Sequence, residues 1–117
     1  MLSLALPVDI YLCVAPADMR KAFDGLFALA VEHLGRDPLA GGLFVFLNRR
    51  RDRMKLLYWD GDGIAIWAKR LEAGTFQLPK VDARAKSVAL SSTELTLLLR
   101  GIDLGSVKQR KRYHRSA

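Results

Sequence analysis

A single cysteine, Cys13, stands in 117 residues, so neither an intramolecular disulfide nor a thiolate metal cage can form. Histidine is nearly as scarce: His33 and His114 are too far apart for the i, i+4 spacing of a helical metal site. The chain lacks a Walker loop, a G-x-G-x-x-G turn and a G-x-S-x-G elbow, which removes the familiar nucleotide-binding and serine-hydrolase signatures. No apolar run approaches the ~18 residues of a membrane span. Met1 to Ala17 is apolar, yet no Lys or Arg precedes it and Pro7 and Asp9 interrupt it, so it does not read as a secretory leader. These absences lead us to expect a cytoplasmic protein without cofactor, metal or membrane contact.

What the chain does have is apolar content and positive charge. Half of its residues are hydrophobic, enough for one modest core at this length. Nineteen Lys and Arg against twelve Asp and Glu give a net charge of +7. Residues 1–40 carry three bases and five acids, whereas residues 41–117 carry sixteen bases and seven acids. The excess therefore lies in the middle and the tail. Such a distribution points to nucleic acid, an acidic protein or an anionic surface as partner.

Hydrophobic periodicity suggests the elements. Ile10 to Val14 is β-branched and aromatic and reads as a short strand stopped by Pro16. Asp18 is a candidate N-cap for a helix over Met19 to Leu34, where Phe23, Leu26, Phe27, Ala30, Val31 and Leu34 recur at spacings of three and four. Gly25 inside that helix signals close packing. Leu43 to Leu47 is a continuous apolar run, too short for a helix, and reads as a central strand. Asn48 to Arg53 is a polar turn. Met54 to Trp59 and Ile64 to Leu71 flank Asp60-Gly61-Asp62-Gly63, a hairpin signal that sets Trp59 against Ile64, Tyr58 against Ala65, Leu57 against Ile66 and Leu56 against Trp67. Both faces of this ribbon are apolar, so helices or a second subunit should cover them. Ser91-Ser92-Thr93-Glu94 is a capping box opening a short helix through Leu95, Leu98 and Leu99, closed by Gly101. The expected fold is α+β: a small antiparallel sheet of about four strands packed with two helices, in the order β-α-β-β-β-α. It forms a single domain over residues 1–104, followed by a flexible basic tail over 105–117.

Chemistry is concentrated in arginine. Arg49, Arg50, Arg51 and Arg53, with Lys55 beyond, sit at a strand–strand turn, where guanidinium forks suit phosphate oxygens and guanine edges. A β-ribbon is itself an element that the major groove admits. A solvated charged turn would look the same in sequence, but the tail supplies a second cluster of one sign: Lys108, Arg110, Lys111, Arg112 and Arg115. Lys69 and Arg70 add further phosphate contacts. Tyr58, Trp59 and Trp67 could stack on bases, although their alternation with aliphatics favours core packing. Asp60 and Asp62 could hold a divalent ion, but their flanking glycines make turn formation the better reading. Cys13, in an apolar strand, reads as a small buried hydrophobe.

The string Asp18-Met19-Arg20-Lys21-Ala22-Phe23-Asp24-Gly25-Leu26, then Asp37-Pro38 and Leu43-Phe44-Val45-Phe46, resembles the TnpB (Orf2-like) accessory proteins of IS66-group insertion sequences. These are distinct from the RNA-guided nucleases of the same name. The likeness continues through Asn48 to Lys55, Leu56-Leu57-Tyr58-Trp59-Asp60-Gly61-Asp62-Gly63, Lys69-Arg70-Leu71-Glu72 and Leu98-Leu99-Arg100-Gly101-Ile102-Asp103. The chain departs from the family pattern at Gly42, where many relatives have histidine, and at Gln77-Leu78, where an aromatic is usual. The resemblance implies a bacterial mobile-element protein that assists a separately encoded transposase without being an enzyme. DNA at the transposon ends and the transposase are then the expected partners, with a homodimer left open. In an adaptor reading without direct DNA contact, Arg20, Phe23, Asp24, Gly25 and Leu26 would form the partner interface.

Overall fold

The structure is a computed structural model that describes residues 9–82 and 84–101. Five strands, β1 (Ile10–Cys13), β2 (Leu43–Leu47), β3 (Arg53–Trp59), β4 (Ile64–Arg70) and β5 (Ser87–Leu90), form one sheet in the order β4-β3-β2-β1-β5. Helix α1 (Phe23–Ala28) lies between β1 and β2, and α2 (Ser92–Arg100) follows β5. The class is α+β as expected, with two corrections: there are five strands, and the sheet is mixed.

β1 runs parallel to β2, with Ile10 opposite Leu43. A helical connection of many residues separates the two strands, and such a crossover is what parallel pairing requires. β5 pairs antiparallel with the other edge of β1. It has four residues, and only Val88 and Leu90 point to the core, a pattern too brief to stand out in sequence. The remaining pairs are antiparallel, and the β3–β4 hairpin has the register expected from its turn: Trp59 with Ile64, Tyr58 with Ala65, Leu57 with Ile66, Leu56 with Trp67.

The sheet is buried on both faces. One face carries Leu12, Val45, Met54 and Leu56 beneath Leu95 and Leu98 of α2 and Phe76 of the preceding loop. The other carries Phe44, Phe46 and Leu57 beneath Leu26 and Ala30. β2 serves both cores, which is why all five of its residues are buried and its sequence shows no alternation. α1 lies over one face of the hairpin, and on the other Tyr58 and Trp67 pack against the core that holds Leu95 and Leu98. Cys13 is buried as expected, and burial pushes its thiol pKa up against the opposing hydrogen bond to the Ala15 carbonyl.

The first helix differs from expectation at both ends. It starts at Phe23, and its cap residue is Ala22, which has no side-chain capping bond. The carbonyls of Met19 and Lys21 accept hydrogen bonds from Lys55 Nζ, each at 2.8 Å, so they face away from a helical ladder. Asp18 bonds Arg20 instead of capping the helix. From Leu29 to His33 the helix widens into a π turn, in which Leu34 N donates to Leu29 O. The three-and-four stripe is only partly buried: Leu26 and Ala30 are fully buried, while Phe23 at the helix start is 52% exposed and Val31 within the widened turn is 43% exposed. At Gly25, a Cβ would lie 3.0 Å from side-chain carbons of Lys21, in line with the close packing expected there.

α2 follows the sequence closely. Ser91 accepts from Glu94 N, Glu94 accepts from Ser91 N, and Gly101 closes the helix in the left-handed region. Gly42 has φ near +101°, and a Cβ there would meet Tyr11 and Phe44 ring carbons at 3.3 and 3.4 Å. This backbone accommodates glycine and would strain a histidine.

Candidate nucleic-acid interface

The β2–β3 turn is built by Asn48. Its Oδ1 accepts from the backbone amides of Asp52 and Arg53, each at 3.0 Å, and its Nδ2 donates to Asp52 Oδ1 at 2.7 Å. Arg51 N donates to Asn48 O, closing the loop from inside. From outside, Leu71 N donates to Asp52 O and Phe76 N to Arg51 O at 2.7 Å. The turn is therefore tied to the main body by backbone bonds on two sides. Arg49, Arg50, Arg51 and Arg53 are all exposed around this frame.

Arg51 adopts φ of 59°, the one non-glycine residue at positive φ among those described. Left-handed backbone costs an L-residue roughly 1–2 kcal/mol that glycine avoids. An arginine held there projects its side chain at the expense of local strain.

The segment after β1 meets this turn. Ala17 N donates to Leu47 O at 2.8 Å, which brings Asp18 and Arg20 beside Asn48. Asp18, Arg20, Arg49, Arg50, Asp52 and Arg53 line a cleft of about 470 Å³. Met19 and Arg53 also border an adjoining hollow of about 440 Å³, edged by Lys55, Lys69, Arg70 and Glu72. Seven cations and three carboxylates thus frame two neighbouring hollows, which share Met19 and Arg53 and together form the groove at this end of the sheet.

Several of these charges have partners within the chain. Arg20 Nη2 meets Asp18 Oδ2 at 2.7 Å. The Arg20 hydrogen bonds, side chain first and then backbone, hold the Asp18 pKa down to about 2. Arg70 pairs with Glu72 at 3.0 Å, and Lys69 Nζ donates to Leu99 O. Lys55 spends two of its three donors on Met19 and Lys21 carbonyls. Replacing Lys55 by methionine is expected to lower the unfolding free energy by about 1.5–3 kcal/mol, the range for hydrogen bonds to a charged group. Urea denaturation checks this. Undiminished stability would mean that the ammonium is free for an external anion.

The opposite end of the sheet is acidic. Asp9 precedes β1, and Asp60 and Asp62 form the β3–β4 turn, where Asp60 N donates to Gly63 O at 2.8 Å. No group of three or more potential metal-ligating side chains occurs among the described residues. Trp59 is 40% exposed, but it lies at this acidic end and not beside the arginines. Tyr58 and Trp67 pack against the core.

Of the candidate residues, Arg49, Arg50, Arg53, Lys55, Lys69 and Arg70 come together in the groove, and Arg51 flanks it on the other side of the turn beside Leu78. Arg20, assigned from sequence to a partner interface, stands among them. Of the other residues in that interface set, Phe23 and Asp24 are exposed, Gly25 is half-buried and Leu26 is in the core. Lys108, Arg110, Lys111, Arg112 and Arg115, and the tail boundary itself, lie outside the described residues. Among the described residues, no helix is long and apolar enough to cross a membrane.

Comparison with known proteins places this architecture. The chain is 39% identical over 101 residues to the uncharacterized protein y4jC of Sinorhizobium fredii, covering 86% of this chain and 85% of the relative. It is 36% identical over 96 residues to the uncharacterized protein y4hO of the same organism, covering 82% of each. No solved structure matches. A family model described as IS66 Orf2-like protein spans residues 8–109, taking in the whole sheet, both helices and the arginine turn, and the chain belongs to that insertion-sequence family.

Proposed function

We propose that this protein is a non-enzymatic DNA-binding accessory factor of insertion-sequence transposition, acting beside a separately encoded transposase. One observation carries the reading: Arg20 converges with Arg49, Arg50 and Arg53 around a single cleft, on a turn that backbone hydrogen bonds hold rigid. A preorganised fork of guanidinium groups suits phosphate oxygens in a duplex backbone. Because the sheet's other end is acidic, the field orients the molecule so that the arginine end meets the polyanion. Arg51, strained yet exposed, fits a side chain kept for a contact. The tail cations Lys108, Arg110, Lys111, Arg112 and Arg115 would add phosphate contacts of their own.

Binding to transposon-end and scrambled duplexes across a salt series, with and without transposase, tests the proposal. Steep salt dependence with naked DNA supports it. Affinity that appears only with transposase present and is insensitive to salt supports an adaptor instead. One feature favours that second reading: Phe23 and Val31 are apolar and about half exposed on the α1 segment.

The purified protein is expected to neither cut nor join DNA with Mg²⁺ or Mn²⁺. Asp60 and Asp62 are exposed turn residues at the end of the sheet away from the arginines. Metal-dependent cleavage lost on Asp60→Ala would overturn the non-enzymatic reading.

A further inference from the structure

β4 is an open edge. Its inner side pairs with β3 over seven consecutive residues without a bulge or a proline. Because Asp60 N donates to Gly63 O, the hydrogen-bonded pairs of this hairpin alternate from there as Tyr58 with Ala65, Leu56 with Trp67 and Met54 with Lys69. The backbone N–H and C=O groups of Ile64, Ile66, Ala68 and Arg70 therefore point outward. Among the described residues they have no backbone hydrogen-bond partner. Long regular edges of this kind are templates for another strand, and proteins usually blunt them. β5, the other edge, has only four residues.

We propose that β4 is a homodimer interface, in which two copies pair their β4 strands antiparallel about a two-fold axis through Trp67, forming one ten-stranded sheet. Three features of β4 select this occupant and register. First, the outward residues are symmetric about Trp67, so Ile64 meets the second copy's Arg70 and Ile66 meets its Ala68, and every outward amide finds a carbonyl. Second, charge is complementary. Lys69 and Arg70 end the strand, and the Asp60-Gly61-Asp62-Gly63 turn begins it. Antiparallel pairing brings the basic end of one copy to the acidic turn of the other, where parallel pairing would set like against like. Arg70 already pairs with Glu72 and Lys69 Nζ donates to Leu99 O, both at exposed positions, whereas Asp60 and Asp62 are exposed and make no side-chain hydrogen bond within the described chain, so the second copy's cations can turn to them. Third, apolar surface is left over: Ile64, Ile66 and Trp67 remain only half-buried within the chain. Side-by-side pairing would cover it, with the two Trp67 rings adjacent on the α2 side. This inference does not rest on the DNA-binding proposal, although it uses Lys69 and Arg70, which also edge the groove.

The test uses the full-length protein in sedimentation equilibrium without DNA. Wild type should be a dimer in the micromolar range. Ala68→Pro removes an outward N–H and no hairpin hydrogen bond, a placement that edge strands tolerate, so it should give a folded monomer. Cysteine scanning tests the register even where a proline variant fails to fold. Trp67→Cys should form an intermolecular disulfide on mild oxidation, because two-fold-related residues of a non-hydrogen-bonded pair are close. Ala65→Cys, facing Lys69 of the second copy, should not, and the buried Cys13 provides the background control. Wild type that is monomeric throughout would overturn the proposal. So would an Ala68→Pro variant that dimerises as wild type does, or cross-linking at Ala65→Cys in place of Trp67→Cys.

Discussion

Replacing Arg49, Arg50, Arg51 and Arg53 together by alanine is expected to flatten the dependence of log K on log salt by roughly two to four units. Each phosphate neutralised on duplex DNA releases condensed counterions, worth about −0.9 in that slope. Four guanidinium groups therefore set the upper bound, and one or two that never reach the backbone lower it. The protein should stay folded. All four side chains are exposed, and the hydrogen bonds that shape the turn come from Asn48 and the backbone, not from the arginine side chains. Exposed charges of this kind contribute on the order of 0–1 kcal/mol each to stability. Single changes then divide the roles. Uniform loss over all sequences marks a phosphate contact, and relaxed preference at one base pair marks direct readout. Arg51→Gly is the most informative of them. It relieves the left-handed strain and should stabilise the fold by about 0.5–1 kcal/mol while weakening DNA binding. A folded quadruple variant with wild-type affinity and slope would remove the turn from the interface, and the adaptor reading would lead.

Arg20 tests whether the groove acts as a unit. It lies nearly thirty residues from the turn in sequence, and its guanidinium is held by Asp18. The pair is exposed, with Arg20 at 92%, so a phosphate can replace the carboxylate with little loss. Asp18→Asn frees the guanidinium and removes a negative charge from the cleft. It should strengthen DNA binding at low salt, and an unchanged affinity would place Arg20 outside the contact surface.

What could be read from sequence and what could not divide along the range of the interactions. Leu43 to Leu47, the Asp60 to Gly63 hairpin with its full register, and the Ser91 capping box rest on neighbours within a few residues, and these appear as expected. Parallel pairing of β1 with β2 and the docking of β5 on β1 join residues far apart in the chain, and no local pattern encodes them. The start of α1 depends on Lys55, which comes from another strand to take two carbonyls that a helix would have used. A charged residue in a basic run gives no sign of such a role. The arginine turn was visible as composition, but its convergence with Arg20 depends on the Ala17–Leu47 backbone bond. That bond exists only because β1 lies beside β2. Asn48 passed as one polar residue in a polar turn. The faint signal was its position at the end of an apolar strand, four residues before an aspartate, where a side-chain amide can span the loop.

That position carries the largest stability effect expected in the site. Asn48→Ala deletes three side-chain hydrogen bonds, two of them to backbone amides of Asp52 and Arg53. Asp52 is only partly exposed, so water replaces these partners incompletely, and the cost should be about 2–3 kcal/mol. For a domain of this size that is a fall in Tm on the order of 10–20 °C. DNA affinity should fall with it, because the arginines lose their common frame, even though no cation has been removed. The salt slope separates the two effects. If the turn is merely loosened, the slope measured below the melting range stays near wild type while affinity drops, since the same cations still reach phosphates. Asn48→Asp refines the test. It keeps the acceptor toward both amides but sets a carboxylate where Nδ2 now lies 2.7 Å from Asp52 Oδ1. Two carboxylates at that distance repel unless they share a proton. The Asp variant should therefore be most stable at acidic pH and lose stability as pH rises through the carboxylate range, whereas the Ala variant shows no such added dependence. An Asp variant whose stability tracks wild type at every pH would mean that Asp52 swings out to solvent, and that the amide acceptor bonds alone hold the turn.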